Sequence, residues 1–216
     1  MAGIKAPPVI KIKAVVDIVF CIDCTNRAAI ANCMESQIMK FVEALNTTNE
    51  KLFVDWRARV VGYGDLEMEE AVQNGNEFVS DVDQIRKQLN GLEPCYGGDI
   101  PESTLDAICY AVKTSDWRER CHKAIFVLTD APTKGLHSST QKVFGVCNVD
   151  ELKMDLVEKH IKLFLWGPND PVYESFKYIP ESEIIQLDDV TGVLYHGKID
   201  LTEYLDWIWE IHGYVL

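Results

Sequence analysis

Short, wholly apolar runs alternate along this chain with longer stretches in which apolar residues recur every three or four positions. Val15-Val-Asp-Ile-Val-Phe-Cys-Ile22 is β-branched, of strand length and apolar on both faces except at Asp17. That is the signature of a central parallel strand. Over residues 28–45, Ile30, Cys33, Met34, Ile38, Phe41, Val42 and Leu45 form one stripe at helical spacing. Leu52–Gly62 reads as a second strand and Glu77–Ser80 as a short third, ahead of a helix carrying Val82, Ile85 and Leu89. Gly97-Gly98 breaks the chain, and Pro101 suits the first turn of a helix running to about Val112. His122–Thr129 is a buried strand, and a helix over 149–160 leads into the strand Ile161–Trp166. Ile184–Leu187 reads as the last strand. A final helix is expected from Asp200, with Glu203 as its capping partner and Leu201, Tyr204, Leu205 and Ile208 buried.

Strand–helix alternation over 216 residues predicts an α/β fold: a doubly wound, mostly parallel sheet with helices on both faces. Neither a repeat, a low-complexity tract nor a linker interrupts it, so residues 1–14 are read as a lead-in and 15–216 as one domain. Residues 131–147 are either a surface loop or hold an extra short helix. A hydrophobic content of 47% supports a sizeable core.

Net charge changes the picture by exclusion. At −13 the chain lacks the clustered Lys and Arg that nucleic acid or an anionic membrane surface would require. No apolar stretch approaches the roughly twenty residues of a membrane helix. The acids concentrate toward the C-terminus, a solvated surface or a docking face for a basic partner. Seven cysteines, odd in number and scattered through apolar runs, with no charged-then-apolar leader ahead of them, point to reduced thiols and a cytoplasmic location. Cys21 and Cys24 have the spacing of a metal hook, but no second such pair accompanies them, and they are assigned to the core.

In open parallel sheets, ligands collect at the carboxyl ends of the strands. The first strand ends at Asp23, the strand 122–129 is followed by Asp130, and the second runs into Gly62-Tyr-Gly-Asp65; Asp99 sits in the glycine-rich loop before Pro101. One such aspartate is usually a helix cap. Several on one rim repel each other unless a cation or hydrogen-bond donors compensate. Common enzyme templates fail: Gly62-Tyr-Gly64 is followed by Glu67 where a dinucleotide fingerprint needs glycine, and neither a phosphate loop nor a GxSxG elbow is present. Asp23-Cys-Thr25 is similar to the DxDxT turn of aspartyl-phosphate phosphatases, but Cys24 replaces the acid that chemistry uses.

The Asp23-Cys-Thr25-Asn-Arg27 turn, the Gly97-Gly-Asp99-Ile-Pro-Glu102 loop and the Val127-Leu-Thr-Asp130-Ala-Pro132 turn, in this order and spacing, resemble the three loops of a von Willebrand factor A (vWA) domain. With Gly62-Tyr-Gly-Asp65 between them, the style is that of vWA domains tied to alpha-kinases and bacterial signalling systems. The resemblance, from about Val15 to Ile211, implies one antiparallel edge strand and a divalent-cation site at the rim. It would place Asp23, Thr25, Asp99 and Asp130 as ligands of Mg²⁺ or Mn²⁺, with a partner carboxylate completing the shell. These are hard oxygen donors. Asn26, Arg27 and Asp65 would modulate the site or contact the partner. The chain departs from the family at Arg27, which stands where a second serine ligand belongs. A guanidinium has no lone pair to give. Either Arg27 faces solvent and water fills the position, or it turns inward and weakens or replaces the metal.

The implied function is an intracellular protein-interaction module presenting this acidic rim to a protein partner, in a signalling or stress and defence setting, and not an enzyme. The alternative is a metal-assisted or aspartyl-phosphate hydrolase using Asp23. A third reading, a structural subunit, would use Trp207 and Trp209 as interface residues.

Overall fold

The computed structural model describes residues 14–25, 27–52, 54–68, 72–95, 97, 100–180, 182–187 and 200–205. Five strands, β1 (Ala14–Asp23), β2 (Val54–Tyr63), β3 (His122–Leu128), β4 (Ile161–Gly167) and β5 (Glu183–Gln186), form one sheet in the order β2-β1-β3-β4-β5. Every ladder between them is parallel. The helices are α1 (Arg27–Leu52), α2 (Val82–Asn90), α3 (Thr104–Thr114), α4 (Ser138–Phe144), α5 (Val149–Glu158) and the short α6 (Pro171–Ser175). The doubly wound α/β fold expected from the sequence is therefore the fold observed.

The two-sided burial of β1 follows from its lack of polar alternation. Val16, Ile18, Phe20 and Ile22 enter a core with Ile38, Phe41 and Val42 of α1, Ile85 and Leu89 of α2, and Leu201. Val19 and Cys21 enter the opposite core with Ile108 and Val112 of α3 and Leu152 and Leu156 of α5. Phe20, Phe41 and Phe126 meet with ring centroids 5.4–6.1 Å apart, which keeps α1 registered on the sheet. The one charged residue of the run, Asp17, is fully buried. It accepts Arg57 Nε at 2.8 Å, and the backbone N–H and Nε of Arg118 at 2.8 Å each. Burial alone would raise its carboxyl, but the Arg57 and Arg118 hydrogen bonds outweigh this and hold it below the ordinary range.

Three expectations need correction. Among the described residues there is no antiparallel edge strand, and Glu77–Ser80 is not a strand. Residues 73–79 form no ladder with β2, only two isolated antiparallel bridges, Gly62 with Gln73 and Ala58 with Val79. Between them, side-chain amides replace the ladder: Gln88 Oε1 accepts the Val60 N–H at 2.9 Å and Asn76 Nδ2 donates to the Val60 carbonyl at 2.9 Å. The polar Gln73-Asn-Gly-Asn76 stretch has side chains suited to that substitution and no apolar alternation to sustain a strand. Second, α3 starts at Thr104 rather than at Pro101. Glu102 is held extended by a parallel bridge to Thr133, with its N–H on the Pro132 carbonyl at 2.9 Å and its own carbonyl receiving the Lys134 N–H at 2.8 Å. Third, the described start of the C-terminal helix, Leu201–Tyr204, is a 3-10 turn, capped by Asp200 through the Thr202 N–H. Ile208, Trp207 and Trp209 lie outside the described residues. Within 131–147 the extra short helix is present as α4.

Candidate functional site

Because all five strands run the same way, their carboxyl ends share one edge of the molecule. The chain leaves β1 toward β2 on one side and later enters β3 on the other side of β1. That reversal opens a crevice between the carboxyl ends of β1 and β3, the place where open α/β sheets accept ligands. Asp23 ends β1 and Thr129-Asp130 follow β3, so both lips of the crevice carry acid.

Asp23 is 1% exposed, and both carboxylate oxygens are engaged. Oδ1 accepts the Thr25 N–H at 3.0 Å and the Thr25 hydroxyl at 2.6 Å, and Oδ2 accepts the Thr129 hydroxyl at 2.8 Å. Burial pushes its carboxyl up to about 6 despite those donors, with the charge of neighbouring Asp130 adding to the rise. Asp130 is half-buried, and burial raises its carboxyl as well.

Glu102 is the acid the sequence reading passed over as a candidate. It is 3% exposed and lies against the Thr25 hydroxyl. Burial, then the charges of Asp23 and Asp65, push its carboxyl up to about 8, against the Thr25 hydrogen bond and the Lys134 ammonium. Its Oε2 is buried and has no hydrogen-bond partner among the described residues. Gly97 makes room for it: φ there is +49°, and a Cβ would stand 2.9 Å from Glu102 Oε1. The signal in the sequence was its place before α3, but reading Pro101 as the first helical turn put Glu102 inside a helix rather than on the rim.

Asp65 is fully buried beside this group. Its Oδ1 accepts the Glu67 N–H at 3.0 Å and its Oδ2 the Lys134 ammonium at 2.8 Å, and Lys134 also reaches Glu67 Oε2 at 2.9 Å. Lys134, likewise not singled out from the sequence, thereby joins the third loop to the turn after β2. Under the rim, Tyr63 and Tyr173 both meet the Thr104 hydroxyl, at 3.2 and 2.9 Å, and Tyr173 donates to the Ala131 carbonyl at 2.9 Å.

The structure thus brings Asp23, Thr25, Asp130, Asp65, Glu102 and Lys134 to one edge. Asp99 and Asn26, and the side chain of Arg27, lie outside the described residues; Arg27 heads α1. Cys21 and Cys24 enter opposite cores and make no hook. Among the described residues no three His, Cys, Asp or Glu side chains form a ready-made metal cluster. A site using one carboxylate from each of two or three loops, with hydroxyls and water between, does not need one. The donors are hard oxygens suited to Mg²⁺ or Mn²⁺, and the orphaned Glu102 oxygen fits such an ion. A surface groove of about 540 Å³ between α5 and Tyr178 includes none of the rim residues.

The fold is an α/β domain with a crevice between the carboxyl ends of β1 and β3. A family model for the von Willebrand factor A domain matches residues 18–157, and the chain belongs to that family. No curated protein matches it. Among solved structures it is similar to proximal thread matrix protein 1 from the mussel byssus, with a TM-score of 0.60 and 13% identity over 93% of this chain and 46% of that one. It is also similar to BatB from Bacteroides thetaiotaomicron, with a TM-score of 0.57 and 14% identity over 90% of this chain and 99% of that one. At such identities the likeness concerns the fold. No helix among the described residues is long and apolar enough to cross a membrane.

Proposed function

We propose that this vWA domain is a cytoplasmic protein-interaction module whose acidic rim takes up Mg²⁺ or Mn²⁺ and presents it to a carboxylate of a protein partner, in a signalling or stress and defence setting. Domains of this family generally serve as protein-interaction modules. The observation that carries the proposal is the buried Oε2 of Glu102, beside Asp23 and Thr25, which has no partner among the described residues. A buried carboxyl oxygen without a donor costs free energy, and a hard cation on the rim would relieve that cost. Asp23, Thr25, Glu102 and Asp130 would hold the ion, with Asp99 as a further donor. Such an ion would supply a Lewis-acidic contact for an acidic partner group. Asp65 and Lys134 keep the loops in place, and Arg27, at the head of α1, tempers the site's affinity by its charge.

The test is capture of partners from the native host in Mg²⁺ and again in EDTA, with wild type and an Asp23→Ala/Asp130→Ala double variant. A partner held by wild type in Mg²⁺ and released both by EDTA and by the double substitution supports the proposal. Partners retained equally under all conditions contradict it.

One observation favours a second reading, hydrolysis through Asp23. Glu102, pushed up to about 8, is a proton-bearing carboxyl near Asp23, the kind of group that position 24 lacks. Against it, Asp23 is buried with both oxygens already accepting hydrogen bonds, an arrangement suited to holding rather than attacking. Turnover of an aryl phosphate that disappears in Asp23→Asn would establish the second reading in place of the first.

A further inference from the structure

Immediately behind the rim, two cysteines from separate loops meet. Cys24 lies between Asp23 and Thr25, and Cys95 stands two residues before Gly97. Their backbones are paired: Thr25 and Cys95 form a parallel bridge, and the Cys95 N–H donates to the Cys24 carbonyl at 3.0 Å. Cys95 is the largest influence on the Cys24 thiol, which it and burial push well above the ordinary range. Both side chains pack on the core that lies over α1 and α2. Neither is in a disulfide. Gln73 Nε2 lies 3.5 Å from the Cys95 sulfur, and a Cβ at Gly62 would stand 2.9 Å from the Cys24 sulfur. Gly62 thus leaves the Cys24 sulfur its place.

We propose that Cys24 and Cys95 are an oxidative modification site, closing to an intrachain disulfide in the presence of a hydroperoxide and so cross-linking the first and second loops of the rim. A disulfide requires Cα atoms about 4.4–6.8 Å apart, and the Cys95 N–H to Cys24 carbonyl bond holds the two backbones side by side. Exposure sets the order of events. Cys24 is 1% exposed, whereas Cys95 is partly open to solvent, so the oxidant reaches Cys95 first. The Cys95 sulfur attacks one peroxide oxygen, the O–O bond breaks, and Cys95 becomes a sulfenic acid with release of water. The Cys24 sulfur then attacks the Cys95 sulfur; the S–O bond breaks, and the departing hydroxide takes the Cys24 proton as a second water. One peroxide is reduced to two waters and two thiols are oxidised to one disulfide. A dithiol reductant reverses the reaction.

The cross-link would fix the Asp23–Thr25 turn to the segment entering Gly97, the residue against which Glu102 is set. It thereby fixes the spacing of two of the three loops. The reaction stands whether or not the rim holds a cation.

The test uses the whole chain in a Cys147→Ser background, because Cys147 is exposed and would otherwise pair between molecules. The folded protein is treated with hydrogen peroxide and alkylated, and its peptides are fragmented to assign each cysteine. The expected product links Cys24 to Cys95, is reversed by dithiothreitol and is absent from Cys95→Ser, with the circular dichroism spectrum unchanged. In Cys24→Ala, Cys95 should instead run on to sulfinic acid. Finding Cys24 still alkylatable after unfolding of a sample whose Cys95 is fully oxidised would overturn the proposal. So would finding Cys95 joined to any other cysteine.

Discussion

The Thr129 hydroxyl donates to Asp23 Oδ2 at 2.8 Å and so ties the residue after β3 to the last residue of β1 across the crevice. The Thr129 hydroxyl oxygen also accepts the Ala131 N–H at 3.1 Å, fixing the third loop's first turn. A single side chain thus sets the width of the crevice and orients its central acid.

Replacing Thr129 with Val keeps the shape but removes the donor, leaving a fully buried carboxylate oxygen and the Ala131 N–H short of a partner. The expected loss is about 1–3 kcal/mol of folding stability, read from urea unfolding. Thr129→Ser, which keeps the hydroxyl, should retain most of the stability.

Lys134 answers the buried Asp65 at 2.8 Å. Removing one partner of such a pair is costlier than removing both, because a buried charge is left without its counter-ion. Lys134→Met should therefore cost about 3 kcal/mol, and Lys134→Met/Asp65→Leu should recover part of it. A double variant no more stable than the single would show that Asp65 is compensated by other groups.

Gly97 has both a positive φ and Glu102 Oε1 against it. Gly97→Ala should cost about 1–2 kcal/mol for the left-handed backbone. The new methyl would displace the flexible end of Glu102. Cation affinity should then fall about tenfold, or 1.4 kcal/mol, as measured by calorimetric titration.

In EDTA, stability should fall as pH rises. The folded-state carboxyls of Asp23 and Glu102 stand at about 6 and about 8, above their ordinary values of 3.8 and 4.5. Folding therefore strengthens their hold on a proton. Their contribution is complete below 3.8 and 4.5 and is lost as pH passes through about 6 and about 8. Asp17 acts in the opposite sense: its lowered carboxyl contributes above 3.8 and loses that contribution in acid. Urea midpoints at about pH 5 and about pH 8 check the sign, with Glu102→Gln flattening the upper part of the curve. Cation affinity should rise over the same upper window, because ligand carboxyls must lose their protons first.

Much of the fold was legible because its strands are continuous apolar runs and its helices carry clean stripes: β1, β3, β4 and α5 lie within a residue or two of their expected bounds, and α2 carries the expected Val82, Ile85 and Leu89. What escaped was decided by contacts distant in sequence. Nothing local says that Asn76 and Gln88 replace a ladder at Val60, or that Glu102 stays extended because Pro132 and Lys134 hold its backbone. The same is true of the rim. Asp23, Thr25 and Asp130 announce themselves at strand ends, whereas Glu102 and Lys134 matter only because a bridge between the second and third loops delivers them there. Asp17 read as an oddity in an apolar strand until Arg57 and Arg118 were seen around it.

The most direct measurement is the melting temperature against Mg²⁺ or Mn²⁺ concentration at constant ionic strength, for wild type and Glu102→Gln. A cation that binds only the folded state raises the melting point with concentration, by about 2.7 kcal/mol of stability at a hundred times Kd. Wild type should show that rise. Glu102→Gln, relieved of a buried acid but short of a ligand, should melt higher than wild type in EDTA and respond little to either metal. A wild-type melting point that stays flat through millimolar metal, or a Glu102→Gln variant that responds as strongly as wild type, would contradict a cation-holding rim built on Asp23, Thr25, Glu102 and Asp130.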